Sequence, residues 1–153
     1  MRTYILLLTA IVILFASCTN EAPFDAAKQV RLDDSTIRAY LAANPAIKAV
    51  KDTSGLYYQI INPGKGANPT QESTVTVNYA GKLLNGNTFD SGKGFTSPLM
   101  GLITGWQVGI PHVKPGGRIL LLIPSAMGYA NNQAGSIPPN SVLLFDIDLI
   151  GFK

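Results

Sequence analysis

The chain opens on an apolar run: from Tyr4 to Ala16 no residue is charged. The run is shorter than the roughly 20 residues a helix needs to cross a bilayer core. With Arg2 before it and the small pair Ala16-Ser17 after it, it predicts the hydrophobic region of a secretory signal. Residues 19–32 are polar and small with no apolar period, and read as a tether. In the next stretch, DDSTIRAYLAANP, Ile37, Tyr40 and Leu41 recur at i, i+3 and i+4. That spacing predicts an amphipathic helix of about three turns, capped by Asp33 or Asp34 and ended by Asn44-Pro45, its stripe packed on the domain that follows.

From Gly55 the pattern is that of strands. Leu56 to Ile61 is a β-rich run stopped by Asn62-Pro63-Gly64. Ser73 to Leu84 alternates, with Val75, Val77 and Tyr79 on one face and Thr74, Thr76 and Asn78 on the other, which predicts a half-buried strand. Asn85-Gly86 is a hairpin signal. Arg118 to Ile123 is nearly continuous aliphatic and suits a central strand. Val142 to Ile150 alternates near its end, turning Asp146 and Asp148 away from Phe145, Ile147 and Leu149. Between these runs, Ile103, Trp106 and Ile110 share one face of a short helix that Lys114-Pro115-Gly116-Gly117 ends. The expectation is an α+β domain of four or five antiparallel strands, with this helix as the only cover for the sheet's apolar face.

Composition narrows the function. The 153 residues suit one domain plus a short extra segment. With 46% hydrophobic and only 14% charged residues the chain can bury a core, which excludes wholesale disorder. A net charge of +3, scattered along the chain, gives no nucleic-acid surface. One cysteine excludes an intramolecular disulfide framework and a Cys-based zinc cluster, and one histidine excludes a His-rich metal site. No Gly-rich phosphate loop opens a helix, and there is no GxSxG elbow, HExxH or Cys–His pair. Asp90 with Asp146 or Asp148 would be the carboxylate set for glycosidase work, but the alternation puts the last two on the solvent face. What remains is a set of aromatic and polar side chains near turn signals: Tyr79, Phe89-Asp90-Ser91-Gly92, Trp106, Tyr129 and Phe145. Taken singly, each reads as core or turn.

Two resemblances give these residues a meaning. The tract Phe15-Ala16-Ser17-Cys18 resembles a bacterial lipobox, with Phe15 where the pattern prefers Leu. It implies diacylation of the Cys18 thiol, cleavage before Cys18 and a lipid-anchored N-terminus. An unused thiol is a liability in an oxidising compartment, which supports that reading over secretion with an incidental cysteine. Thr19, rather than an Asp, favours the outer membrane facing the periplasm. Second, VNYAGKLLNGNTFDSG, ITGW and IPPNSVLLFDIDLIGFK resemble an FKBP-type peptidyl-prolyl cis–trans isomerase from about Gly55 to Lys153. That family implies a curved antiparallel sheet, a half-barrel, wrapped around one short helix with an apolar cavity between them. The N-terminal helix resembles the extension found on envelope members of the family.

Carried over position by position, the resemblance implies a pocket of Tyr79, Phe89, Asp90, Leu102, Ile103, Trp106, Tyr129, Ile137 and Phe145. Trp106 is the implied floor, Tyr79, Phe89 and Phe145 the walls. The Ile103 N–H and the Tyr129 hydroxyl are implied donors to substrate carbonyls, Asp90 orients polar groups at the rim, and Leu102 and Ile137 line the substrate subsite. No cofactor and no metal are implied. Implied partners are proline-containing unfolded or nascent exported polypeptides and macrolide inhibitors, with no nucleic acid, for a monomer held to the membrane by its lipid. The pattern has departures. Ser97 occupies the place of a further pocket aromatic, which Phe95 fills only if the bulge shifts. Ala130 stands where a glycine usually follows the pocket tyrosine, the loop Asn131–Ser136 lacks larger side chains, and Gln107 and Val108 replace common acidic residues. The expected organisation is signal 1–17, tether 18–32, helical extension 33–54 and isomerase domain 55–153. The competing readings are a non-catalytic binding or chaperone module on the same fold, and a structural envelope lipoprotein.

Overall fold

The structure, a computed structural model, describes residues 24–153. The expected signal, Cys18 and the beginning of the tether lie outside the described residues. The first helix, α1, runs Ala26–Ala43, and the Asp25 side chain caps it by accepting from the Lys28 N–H at 2.9 Å. It therefore begins inside the segment expected to be a tether, and neither Asp33 nor Asp34 is its cap. The stretch from Ala26 to Arg31 is rich in helix formers. Asp33 and Asp34, which in isolation would compete for backbone amides, are both engaged by tertiary partners instead.

Six strands follow: β1 Val50–Lys51, β2 Tyr57–Asn62, β3 Thr74–Leu83, β4 Thr88–Pro98, β5 Gly117–Ile123 and β6 Leu143–Phe152. They form one antiparallel sheet in the order β1-β2-β5-β6-β3-β4. The aliphatic run expected to be central is β5, between β2 and β6. Helix α2, Thr104–Gly109, extends into a 3₁₀ turn over Ile110–His112. Against its apolar side pack Val75, Val77, Ile119, Leu121, Ile123, Phe145, Ile147 and Leu149 from one face of the sheet. The alternation reads true: Arg118 pairs with Asp146 on the opposite face, its Nε 2.8 Å from Oδ1.

Helix α2 lies unusually close to β5. A Cβ added to Gly105 would stand 2.5 Å from the Ile123 side chain, and one added to Gly109 would stand 2.6 Å from Leu121. These glycines, four apart on one helix face, let the helix settle into the sheet and fix the depth of the space beside it.

Helix α2 is not the only cover. On the outer face Ile37 of α1 is buried with Tyr57, Leu122 and Val142, and Tyr40, Leu41 and Leu144 close around them. The apolar stripe read from Ile37, Tyr40 and Leu41 thus packs on the domain. The sheet has two apolar faces over part of its area because β5 is apolar at Leu122 as well as at its inward positions.

Candidate functional site

The open end of the space between α2 and the sheet is a cavity of about 240 Å³. Tyr79, Asp90, Phe95, Leu102, Ile103, Trp106, Tyr129 and Phe145 line it. Strand β3 brings Tyr79 to the inward face through the same alternation that buries Val75 and Val77. Trp106 is buried on α2, and its ring meets Tyr79 at 5.1 Å and Phe145 at 5.2 Å between centroids, both edge to face. Such pairs lock the rings at right angles and leave a flat-sided slot rather than a collapsed core. Gly81 makes room for two of the rings: a Cβ there would lie 2.7 Å from the rings of both Phe89 and Phe145.

Phe95 is the main departure from the sequence expectation. Val77 pairs with Phe95, but Tyr79 pairs with Gly92, so Lys93 and Gly94 together oppose Asn78. This is a β-bulge. Gly94 takes φ +61°, and its N–H donates to Asn78 Oδ1 at 2.8 Å. The extra residue flips the parity of the strand, so Phe95 reaches the cavity and meets Tyr79 at 5.7 Å and Trp106 at 6.5 Å. The aromatic expected to be missing at Ser97 is therefore supplied by Phe95, and Ser97 does not line the cavity. The Asp90-Ser91-Gly92 stretch, read as a turn, lies within β4.

Two expected pocket residues stand one layer back. Phe89 is half-buried and supports Phe145 edge to face at 5.4 Å. Ile137 is buried in the core, where its N–H and C=O both pair with Ala134.

Polar groups are few and placed. The Tyr79 hydroxyl donates to Asp90 Oδ2 at 2.8 Å, and Asp90 Oδ1 accepts from the Ser91 N–H at 2.8 Å. Burial pushes the Tyr79 phenol up to about 12, and its bond to Asp90 pushes in the same direction. Tyr79 is therefore a fixed neutral donor, not a base. Ile103 precedes the first turn of α2, and its N–H makes no hydrogen bond among the described residues. Gln107 Nε2 donates to the Leu102 carbonyl at 2.7 Å and to the Met100 carbonyl at 3.2 Å. It clamps the turn that presents that free N–H, a task the sequence reading did not foresee for this residue. The rim is apolar and exposed: Met100 is 66% accessible, Tyr129 38% and Phe95 37%.

An aromatic slot with the Tyr79–Asp90 pair at one side and free donors at its edge suits a protein that grips an apolar ring. The sequence model of one family, described as FKBP-type peptidyl-prolyl cis-trans isomerase, matches residues 65–150. The chain belongs to that family. It is 42% identical over 122 residues to the FKBP-type peptidyl-prolyl cis-trans isomerase FkpA of Buchnera aphidicola, covering 76% of this chain and 48% of the relative. It is 40% identical over 124 residues to the peptidyl-prolyl cis-trans isomerase Mip of Coxiella burnetii, covering 76% and 53%. The crystal structure of FkpA from Escherichia coli superposes with a TM-score of 0.72 at 35% identity, covering 83% of this chain and 62% of that one. The chain spans about half the length of the curated relatives it matches.

Proposed function

We propose that the chain catalyses cis–trans isomerisation of X–Pro bonds in polypeptides. The observation that carries this is the aromatic cavity, floored by Trp106 and walled by Tyr79, Phe95 and Phe145, beside the unpaired N–H of Ile103. Isomerisation breaks no covalent bond; it twists a partial double bond over a barrier of about 18–20 kcal/mol. The twisted amide has lost resonance and part of its dipole, so an apolar slot favours it over the planar forms. Trp106 supports the proline ring. The Ile103 N–H and the Tyr129 hydroxyl bond carbonyls of the chain on either side, and Asp90, held by Tyr79 and Ser91, orients the polar groups at the rim. The test is the exchange rate of an apolar-X–Pro peptide with the purified protein. Acceleration that a cavity-filling macrolide abolishes is expected; a folded protein giving no acceleration overturns the reading. The exposed apolar rim at Met100, Phe95 and Tyr129 favours one second reading, a module that binds unfolded chains with little catalysis.

The setting is also proposed. The apolar run ending at Ala16-Ser17-Cys18 supports a lipid-anchored protein of the bacterial envelope, at the outer membrane, that assists folding of exported chains. Palmitate labelling that vanishes in Cys18→Ala is the expected result, and a variant that stays labelled and membrane-bound refutes the anchor. Because α1 lays its stripe on its own sheet, the protein is proposed to be a monomer, which sedimentation at micromolar concentration tests.

A further inference from the structure

We propose that Asp33, on α1, is a positioning residue for Tyr129 at the cavity rim; this rests on the isomerase reading above. Asp33 is a carboxylate buried to 2% accessibility on α1, and it does not line the cavity. Its Oδ2 accepts from both the N–H and the hydroxyl of Ser125, at 2.8 and 2.7 Å, across 92 residues of sequence. Its Oδ1 accepts from Gln29 Nε2 at 2.7 Å, one turn earlier on the same helix. A buried carboxyl group with this many donors is fixed, because each lost bond would leave a buried polar atom unpaired.

Ser125 is itself 1% accessible and begins the single 3₁₀ turn Ser125–Met127 that follows β5. Nothing else in the turn caps it: its preceding residue, Pro124, offers no side-chain bond. The Ser125 carbonyl accepts from the N–H of Gly128 at 2.9 Å and of Ala130 at 2.8 Å. Tyr129 sits between those two amides. The Ala130 carbonyl accepts from the Asn140 N–H at 2.7 Å, which closes the far end of the same loop. A continuous chain of bonds therefore runs from α1 through Ser125 to the backbone on both sides of Tyr129. Tyr129 is otherwise exposed, and its hydroxyl has no partner among the described residues. With a tyrosine at the rim held only by its backbone, the anchor of that backbone decides how much of its freedom must be lost when a substrate arrives.

The consequence is specific. Loosening the anchor leaves Tyr129 able to reach the same place once substrate is bound, so the loss falls on binding and not on the bond rotation. In the full chain, Asp33→Asn should raise KM about fivefold with kcat within about twofold of wild type. In a Tyr129→Phe background the same substitution should change KM by less than about twofold, since the contact it positions is already gone. Asp34→Asn is the control. Asp34 is the next residue on α1 but bonds Lys51 and Tyr57, away from the loop. It should lower melting temperature and leave KM and kcat unchanged. Ser125→Ala, which removes one of the three bonds to Asp33, repeats the cycle with a smaller effect if Asp33→Asn does not fold.

Amide hydrogen exchange at Gly128 and Ala130 separates this inference from the catalytic reading. Faster exchange there in Asp33→Asn, with the KM rise confined to the Tyr129 background, supports the positioning role. Unchanged exchange in a folded variant, or an equal KM rise with and without the Tyr129 hydroxyl, overturns it. Faster exchange in a protein whose wild type does not accelerate the peptide sustains the anchoring of the loop and overturns the isomerase reading alone.

Discussion

Phe95→Ala is the substitution on which the reading of the cavity turns. The ring is partly packed against Tyr79 and Trp106 and 37% accessible. A phenylalanine side chain offers roughly 200 Å², so the part left to meet a ligand is about 75 Å². At about 25 cal/mol per Å², covering all of it is worth about 2 kcal/mol. A proline ring with its neighbouring residue covers about half, which leaves about 1 kcal/mol, or about fivefold in kcat/KM. Stability should suffer less than for a fully buried ring, which costs about 3–5 kcal/mol; a loss of about 1–2 kcal/mol is expected here because two edge-to-face contacts go. The assay is peptide exchange by NMR at substrate well below KM, with a thermal melt of the same sample. Ser97→Ala should change neither, since its hydroxyl bonds only the adjacent Pro98 carbonyl. An unchanged kcat/KM in Phe95→Ala beside a loss in Ser97→Ala would refute the bulge-shifted assignment.

Ala130 takes φ +52°, a region that costs a non-glycine residue about 1–2 kcal/mol. Ala130→Gly should stabilise by about 0.5 kcal/mol after the unfolded-state entropy is subtracted, seen as a rise of about 2 °C in Tm. Gly105→Ala should destabilise by about 1–3 kcal/mol in chemical denaturation, because the new methyl meets Ile123 at 2.5 Å in a packed core. The Lys51 ammonium and the Tyr57 hydroxyl hold the Asp34 carboxyl down at about 2, below its usual 3.8. A depressed carboxylate stabilises above its unfolded pKa and loses that effect as the folded one is approached. The melting-temperature gap between wild type and Asp34→Asn should therefore be constant at neutral pH and close as pH falls from 3.8 toward about 2.

Where period and propensity agreed, the sequence was a good guide. The alternation at Val75, Val77 and Tyr79 and the aliphatic run to Ile123 both became inward-facing strands, with Ile103, Trp106 and Ile110 against them. Asn85-Gly86 signalled the hairpin into β4, but the strand's course past Asp90 was not legible, because Gly92, Lys93 and Gly94 are poor strand formers and the bulge they build breaks the period of two. The same bulge hid Phe95: a residue's face cannot be counted across an inserted position. The start of α1 was missed for a different reason. Its first two turns lack an apolar stripe and are read as polar tether, yet a cap at Asp25 and good helix formers suffice once Ile37 is docked. Asp33 was misread as a cap because a carboxylate ahead of an apolar stripe carries that signal, whereas its partner, Ser125, is 92 residues away and leaves no local trace.

These misreadings meet at one physical point. A cavity that stays open works against close packing, so the residues that shape it need support from behind. Here the support comes from features without periodicity. Gly81 admits the Phe89 and Phe145 rings, Gly105 and Gly109 seat α2, and Gly94 turns Phe95 inward. Asp33 and Gln107 hold the two loops that present Tyr129 and the Ile103 N–H. Each acts through a close approach or a specific hydrogen bond, which a pattern of hydrophobic and polar positions does not record. Most residues that line the slot follow the sheet and helix; those that keep it open follow from close packing and a few placed hydrogen bonds. Substitutions at Gly81 or Gly94 should therefore displace Phe145 or Phe95, whereas those at Asp33 or Gln107 should change KM or stability and leave the aromatic lining in place.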